Sequence, residues 1–280
     1  MRLPFAKYHA LGNDFIVVVN NRRLGKKPLS RLARRICHRR TGVGADGLLC
    51  LTASAKKTLV VDLFNADSSW AEKSGNGLRI LGLHQHLKDK RRRNFVVRMA
   101  GLDHHVSIVR ATGRAGLIKT DLGSPEFTTG LVPVRTRKKY LINAPLTING
   151  FDLPVTCLSV GNPHTVLFVD NFDFDWRALG AEIETSRVFP NHTNVEFVKV
   201  VSRRRLLLAD WERGAGATGS SGTGAAAAVC AAVMTGHADR RCQVVFETGS
   251  LWVDWKTETN NIELTGPVEF VAEGFYEFEE

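Results

Sequence analysis

The sequence predicts an α/β fold made of two similar halves. Two observations carry this. A glycine-rich loop feeding a helix occurs twice: Ser74-Gly75-Asn76-Gly77 opens an apolar run to Leu87, and Ser221-Gly222-Thr223-Gly224 opens a helix of small residues to Met234. A Gly-Asn step beside an apolar strand precedes each loop, Gly12-Asn13-Asp14 in the first half and Gly161-Asn162-Pro163-His164 in the second. The offset from Gly12 to Ser74 is 62 positions and from Gly161 to Ser221 it is 60. Matched offsets of this length indicate an internal duplication. Each helix start offers backbone N–H groups and the positive end of a helix dipole, which suits an anion. The expectation is a site in the cleft between the halves, with one serine from each.

Taken in order, Asp14 to Asn20 is a buried-strand pattern. Pro28 to Arg40 reads as a helix, with Leu29, Leu32, Ala33 and Ile36 at helical spacing and cations toward its end. Leu48 to Leu51 and Thr58 to Phe64 are strands, the second delivering Asn65-Ala66-Asp67 to the loop before Ser74. Phe95 to Met99, His104 to Arg110 and Gly116 to Thr120 are short antiparallel strands with turns at Gly101 and Gly113. Gly123 to Pro133 carries two prolines and two glycines and is the expected domain boundary. The second half repeats the texture. Strands are expected at Val155–Val160, Thr165–Asp170, Val195–Val201, Leu206–Trp211, Gln243–Glu247, Leu251–Trp255 and Ile262–Leu264, with a helix over Trp176–Ile183. Val268 to Phe278 is expected to return to the first half. The domains are therefore 1–123 plus 268–280, and 124–267.

The 280 residues, 44% hydrophobic, support one large or two medium cores. No apolar run reaches the roughly 18 residues of a membrane span, and Met1-Arg2-Leu3-Pro4 runs into strand-like sequence with no signal-peptide pattern. Five scattered cysteines without a C-x-x-C pair fit a reducing cytoplasm and argue against a zinc site or a disulfide scaffold. His84, His86, His104 and His105 lack ligand spacing, so no metal is expected. The formal charge is +10. The basic clusters lie at helix ends and loops and lack interleaved aromatics. They are read as solvated faces that attract an anionic substrate rather than nucleic acid.

The motifs resemble those of the diaminopimelate epimerase family, within the cofactor-independent amino-acid racemases and epimerases. They are K-Y-H-A-L-G-N-D-F (7–15), F-N-A-D (64–67), S-G-N-G (74–77), G-N-P-H (161–164), F-P-N-H-T-N-V-E-F (189–197), E-R-G-A-G (212–216) and S-G-T-G (221–224). The resemblance runs nearly end to end. It implies two pseudo-symmetric domains, each a curled, mainly antiparallel sheet around a central helix. It also implies a diaminopimelate substrate, a place in lysine and peptidoglycan precursor biosynthesis, no pyridoxal phosphate and no metal, with a homodimer among the assemblies to expect. Asn13, Asn65, Asn162, Asn194, Glu212 and Arg213 would hold the substrate, with Arg213 gripping the distal carboxylate. The N–H groups of Gly75, Asn76, Gly222 and Thr223 would take the α-carboxylate, and His164 and Glu212 would tune the acid/base pair.

The sequence departs from that pattern where the family carries paired cysteines, because Ser74 and Ser221 stand there. A hydroxyl is a far weaker acid than a thiol and ordinarily needs a neighbouring base. Ala217 replaces a usual glutamate, and Gly47 a residue that is often glutamine. Three readings stay open: a serine branch that still epimerises, a sister enzyme acting on hydroxyproline or another amino acid (an epimerase or a dehydratase), and a silent binding form. Arg213 speaks against the hydroxyproline reading, since a distal guanidinium suits a second carboxylate. Plainer roles suit the same residues: Asn13 and Asn162 suit turns beside glycine, and Ser74 and Ser221 suit N-caps.

Overall fold

The computed structural model describes residues 2–52 and 58–279. The chain divides into two compact units, Met1–Thr120 with Gly266–Glu280, and Asp121–Thr265.

The first unit contains β1 (Arg2–Ala10), β2 (Asn13–Val19), α1 (Lys26–Ile36), β3 (Gly47–Thr52), β4 (Thr58–Asn65), β5 (Trp70–Ala71), α2 (Gly75–Lys88), β6 (Asn94–Met99), β7 (Leu102–Thr112) and β8 (Ala115–Asp121). Pairing runs β1-β2-β3-β4-β6-β7-β8. Two of these pairs, β2–β3 and β4–β6, are parallel. A parallel pair needs a long crossover, and the helices α1 and α2 supply the two crossovers here. Helix α2 packs against β1, β2, β6 and β7 and is buried almost throughout. Its apolar residues occur all round, as expected of a helix enclosed by its own sheet. Helix α1 buries Leu29, Leu32, Ala33 and Ile36 against Ile16, Leu48 and Phe64 on the other face.

The second unit contains β9 (Ala144–Ile148), β10 (Phe151–Ser159), β11 (Pro163–Phe168), α3 (Trp176–Glu184), β12 (Asn194–Ser202), β13 (Arg205–Trp211), α4 (Gly222–Met234), β14 (Arg241–Phe246), β15 (Gly249–Trp255) and the start of β16 (Ile262–Glu277). From β10 onward it repeats the first unit pair for pair. The β11–β12 and β13–β14 pairs are parallel, and the β10–β11, β12–β13, β14–β15 and β15–β16 pairs are antiparallel. The duplication read from two loops thus extends through the topology. Helix α4 is enclosed like α2; Ala225 to Ala232 are all fully buried.

The last strand serves both units. Ile262–Thr265 pairs with β15, whereas Glu269–Glu277 pairs with β1. In the first unit β16 also hydrogen-bonds β8, so that unit's strands close on themselves. In the second unit the segment after β8 makes the join: Leu122 N–H bonds Ile262 O at one side and Glu126 N–H bonds Ser159 O at the other.

One expected element is shorter than the pattern implied. Helix α1 stops at Ile36 rather than continuing to Arg40. The chain doubles back over the helix end, and Val43, Gly44 and Ala45 bond the Ile36 and Cys37 carbonyls. Those carbonyls are therefore satisfied without another helical turn. Arg39 leaves the helix and reaches Asp14 and Asp46 instead. Among the described residues, no helix is long and apolar enough to cross a membrane.

Candidate active site

In the first unit, Ser74 is the N-cap of α2. Its backbone is extended, with φ −141°, and its Oγ accepts from Gly77 N–H at 3.0 Å. Asn76, buried in the first turn, donates from Nδ2 to Asn13 Oδ1 at 2.9 Å. Asn13 in turn donates to Asp46 Oδ2 at 2.9 Å. Asp14 lies between Lys7 and Arg39, each at 2.9 Å. Burial alone would raise the Asp14 carboxyl, but its bonds to Arg39 and Lys7 outweigh this and hold it below its ordinary value.

Beneath the same turn lies Arg79, fully buried. It donates to Gly75 O at 3.3 Å and to Asn76 Oδ1 at 2.5 Å. No carboxylate pairs with it among the described residues. Burial lowers its pKa to about 9, so it remains a cation at neutral pH. A net positive charge thus adds to the dipole at the α2 start. Asn65 ends β4 and is exposed; its Nδ2 bonds Ser69 Oγ at 2.9 Å, outside the Asn13–Asn76 network.

In the second unit, Ser221 caps α4 in the same way, with φ −123° and its Oγ accepting from Gly224 N–H at 3.1 Å. Asn162 Nδ2 lies 3.3 Å from Thr223 Oγ1, and its Oδ1 lies 2.9 Å from His164 Nε2. His164 Nδ1 lies 2.6 Å from Glu196 Oε1, and both side chains are almost wholly buried. Asn194 donates to Pro163 O at 2.7 Å and accepts from Arg213 N–H at 3.0 Å, which ties E-R-G-A-G to the start of β11. The half-buried Arg213 guanidinium donates to Asn191 O at 3.3 Å. Thr218 Oγ1 lies within hydrogen-bond distance of both Glu212 Oε1 and Asp210 Oδ2. Burial pushes the Asp210 carboxyl up to about 6, against the opposing Thr218 hydrogen bond.

A family model described as diaminopimelate epimerase matches residues 5–128 and 156–271. The chain belongs to the diaminopimelate epimerase family. It is 36% identical to the diaminopimelate epimerase of Acetivibrio thermocellus, covering 97% of this chain and 98% of that one. It is 37% identical to that of Carboxydothermus hydrogenoformans, with 98% and 99% covered. The chloroplastic diaminopimelate epimerase of Oryza sativa matches at 36%, with 97% and 79% covered. A hydroxyproline epimerase from Agrobacterium vitis, solved with trans-4-hydroxy-L-proline, shares the fold at a TM-score of 0.73. It is 11% identical, with 98% of this chain and 91% of that one covered, and carries the fold alone.

Within this epimerase family fold, the expected residues fall into two compact sets. Ser74, Gly75, Asn76 and Asn13 gather at the start of α2, with Asn65 apart from their hydrogen bonds. Ser221, Gly222, Thr223, Asn162 and His164 gather at the start of α4, and Asn194, Glu212 and Arg213 form a neighbouring hydrogen-bonded group. Sequence reasoning passed over Arg79, Glu196 and Asp210. Their signal was present: each is a lone charge inside an apolar run, in G-L-R-I-L, V-E-F-V and L-L-A-D-W. Such a charge is costly to bury unless something uses it.

Proposed function

We propose that this chain inverts one α-carbon of diaminopimelate, interconverting the LL and meso forms without a cofactor. The observation that carries this reading is one serine-capped glycine turn in each unit. It stands in a chain 36–38% identical, nearly end to end, to diaminopimelate epimerases. Ser74 and Ser221 are the proton-transfer pair. One, as the alkoxide, takes the α-proton on one face. The other gives its hydroxyl proton to the opposite face, so proton count is conserved and the centre inverts.

The charge left by deprotonation spreads into the α-carboxylate. The N–H groups of Gly75, Asn76, Gly222 and Thr223, with the Arg79 cation beneath the α2 turn, are the groups assigned to stabilise it. Asn13, Asn65, Asn162 and Asn194 orient the substrate, and Arg213 takes the distal carboxylate. Glu212 and His164 assist the serines, whose alkoxides are scarce at neutral pH. A cytoplasmic setting is supported by five buried free cysteines. The +10 charge is assigned to attraction of substrate carboxylates rather than to nucleic acid.

A second reading, binding without turnover, rests on the hydroxyls at both proton-transfer positions. The test is α-proton exchange of LL-diaminopimelate in deuterated buffer, alongside calorimetric binding. Exchange with inversion supports the first reading. Binding without exchange supports the second, and neither binding nor exchange overturns both.

A further inference from the structure

The two units bury different chemistry at the same place. In the first, Phe15 pairs with Gly47 and Val17 with Leu49. In the second, His164 pairs with Asn194 and Val166 with Glu196. The central helices confirm the equivalence. A Cβ on Gly77 would lie 3.1 Å from Leu49 Cδ2, and one on Gly224 would lie 3.0 Å from Glu196 Oε1. So His164 and Glu196 stand where the first unit has Phe15 and Leu49. The fold is served there by hydrocarbon, and burying a carboxyl and an imidazole instead costs stability unless the pair has work to do.

That work is visible in the hydrogen bonds. Glu196 Oε1 meets His164 Nδ1 at 2.6 Å, and His164 Nε2 meets Asn162 at 2.9 Å. Asn162 also meets Thr223 in the first turn of α4. A neutral imidazole carries one N–H, and an amide presents an acceptor at one end and donors at the other. If Glu196 were ionised beside a neutral ring, Nδ1–H would donate to it. Nε2 would then be bare, and Asn162 would have to turn its NH₂ toward the ring. If the pair holds one further proton, Nε2–H donates to Asn162 Oδ1, and the NH₂ faces Thr223.

We propose that Glu196 is a positioning residue: it keeps a shared proton on the Glu196–His164 pair, so that Nε2–H fixes Asn162 with its NH₂ toward the α4 turn. Three features support the protonated pair. Glu196 is fully enclosed, and burial raises its carboxyl. Glu196 Oε2 has no hydrogen-bond partner among the described residues, a smaller cost for a neutral acid than for a carboxylate. Among the described residues, the charged and titratable groups around Glu196 are His164 on β11, Asp210 directly across on β13 and Cys157 on β10. None of them is a fixed cation that would hold the carboxylate ionised. The inference rests on the epimerase reading, because the oriented amide is there to hold substrate at the α4 turn.

The test compares Glu196→Gln, Glu196→Leu and the double change His164→Phe with Glu196→Leu, which recreates the first unit's pair. A glutamine can still donate to Nδ1 and keep Nε2–H in place, whereas leucine cannot. Glu196→Leu should lower kcat/KM by on the order of tenfold to a hundredfold, the scale of a misoriented contact. Glu196→Gln should recover most of that loss. The double variant should keep its melting temperature and lose activity like Glu196→Leu. Independently of turnover, imidazole ¹⁵N shifts should show His164 protonated at Nε2 in the parent and in Glu196→Gln. A bare Nε2 in the parent, an unimpaired Glu196→Leu, or Glu196→Gln as poor as Glu196→Leu would each overturn the proposal. If the parent does not turn over diaminopimelate, the epimerase reading fails. The ¹⁵N shifts and calorimetric binding by the variants then decide the Glu196 assignment.

Discussion

Oxygen in place of sulfur changes how readily a proton is released, and Ser74 and Ser221 meet that difference at two helix starts. The α2 and α4 dipoles favour an anion at either position. A thiol, with an ordinary pKa of about 8.5, sits much nearer the working pH than a hydroxyl does. Ser74→Cys with Ser221→Cys should therefore raise epimerase turnover, and either single change should help less, because one poor partner remains. Inversion of LL-diaminopimelate in deuterated buffer measures this, and a slower double variant would show that serine is no handicap here. Arg213→Lys keeps charge but loses the guanidinium fork. Diaminopimelate binding should weaken by about 1.5–3 kcal/mol on calorimetry, the scale of a charged hydrogen bond. Asp210 gives a pH signature. Its carboxyl is raised by burial to about 6 in the fold, so the native state holds a proton that the unfolded chain releases near pH 4. Stability from this group is full below about pH 4 and is lost as pH rises toward 6. Asp210→Asn should gain on the parent across that window and then level off. Melting temperatures over pH 4–8 check it, and a constant offset would refute it. The serines and their asparagines were legible because each sits beside glycine in a repeated loop. Arg79, Glu196 and Asp210 were not, because periodicity indicates burial but not which partner a buried charge will find.

Elements were legible where one face had to be buried and where a loop residue marked a start. Both glycine loops gave helices capped by the expected serine, and the strand runs rich in Val, Ile and Leu gave strands. What local pattern could not show was how a neighbouring segment ends an element. The α1 boundary is set by Val43, Gly44 and Ala45 returning to its last carbonyls, a contact from outside the periodic window. Helix α2 shows the same tertiary override in its packing. Gly82 lies mid-helix, where alanine would normally be worth about 1 kcal/mol more. Here a Cβ would come within 2.6 Å of Val106 Cγ1 and 3.1 Å of Ile118 Cγ2. Gly82→Ala should therefore destabilise by about 1–3 kcal/mol through overpacking. Denaturant titration reads this directly, and a stabilised variant would mean that β7 and β8 yield easily.

For the whole molecule, the duplication in two short motifs grew into a match of parallel and antiparallel pairs through both units. The long strand β16 was less legible, because Thr265-Gly266-Pro267 resembles a break between two strands. Its pairing to β15 and then β1 carries it through. Ending the chain after Thr265 should leave β1 without the partner that covers Arg2–His9. Hydrogen exchange should then rise across β1 while β14 and β15 stay protected; unchanged exchange in β1 would contradict the shared-strand account. The same strand has a consequence during synthesis. The second unit is one continuous stretch and can complete its sheet as soon as it leaves the ribosome. The first unit begins emerging earlier yet waits for residues made after the whole second unit. At roughly 5–20 residues per second, that delay is on the order of ten seconds to a minute. Throughout it, the nascent chain carries an open sheet edge on its first strand, the kind of surface that chaperones cover.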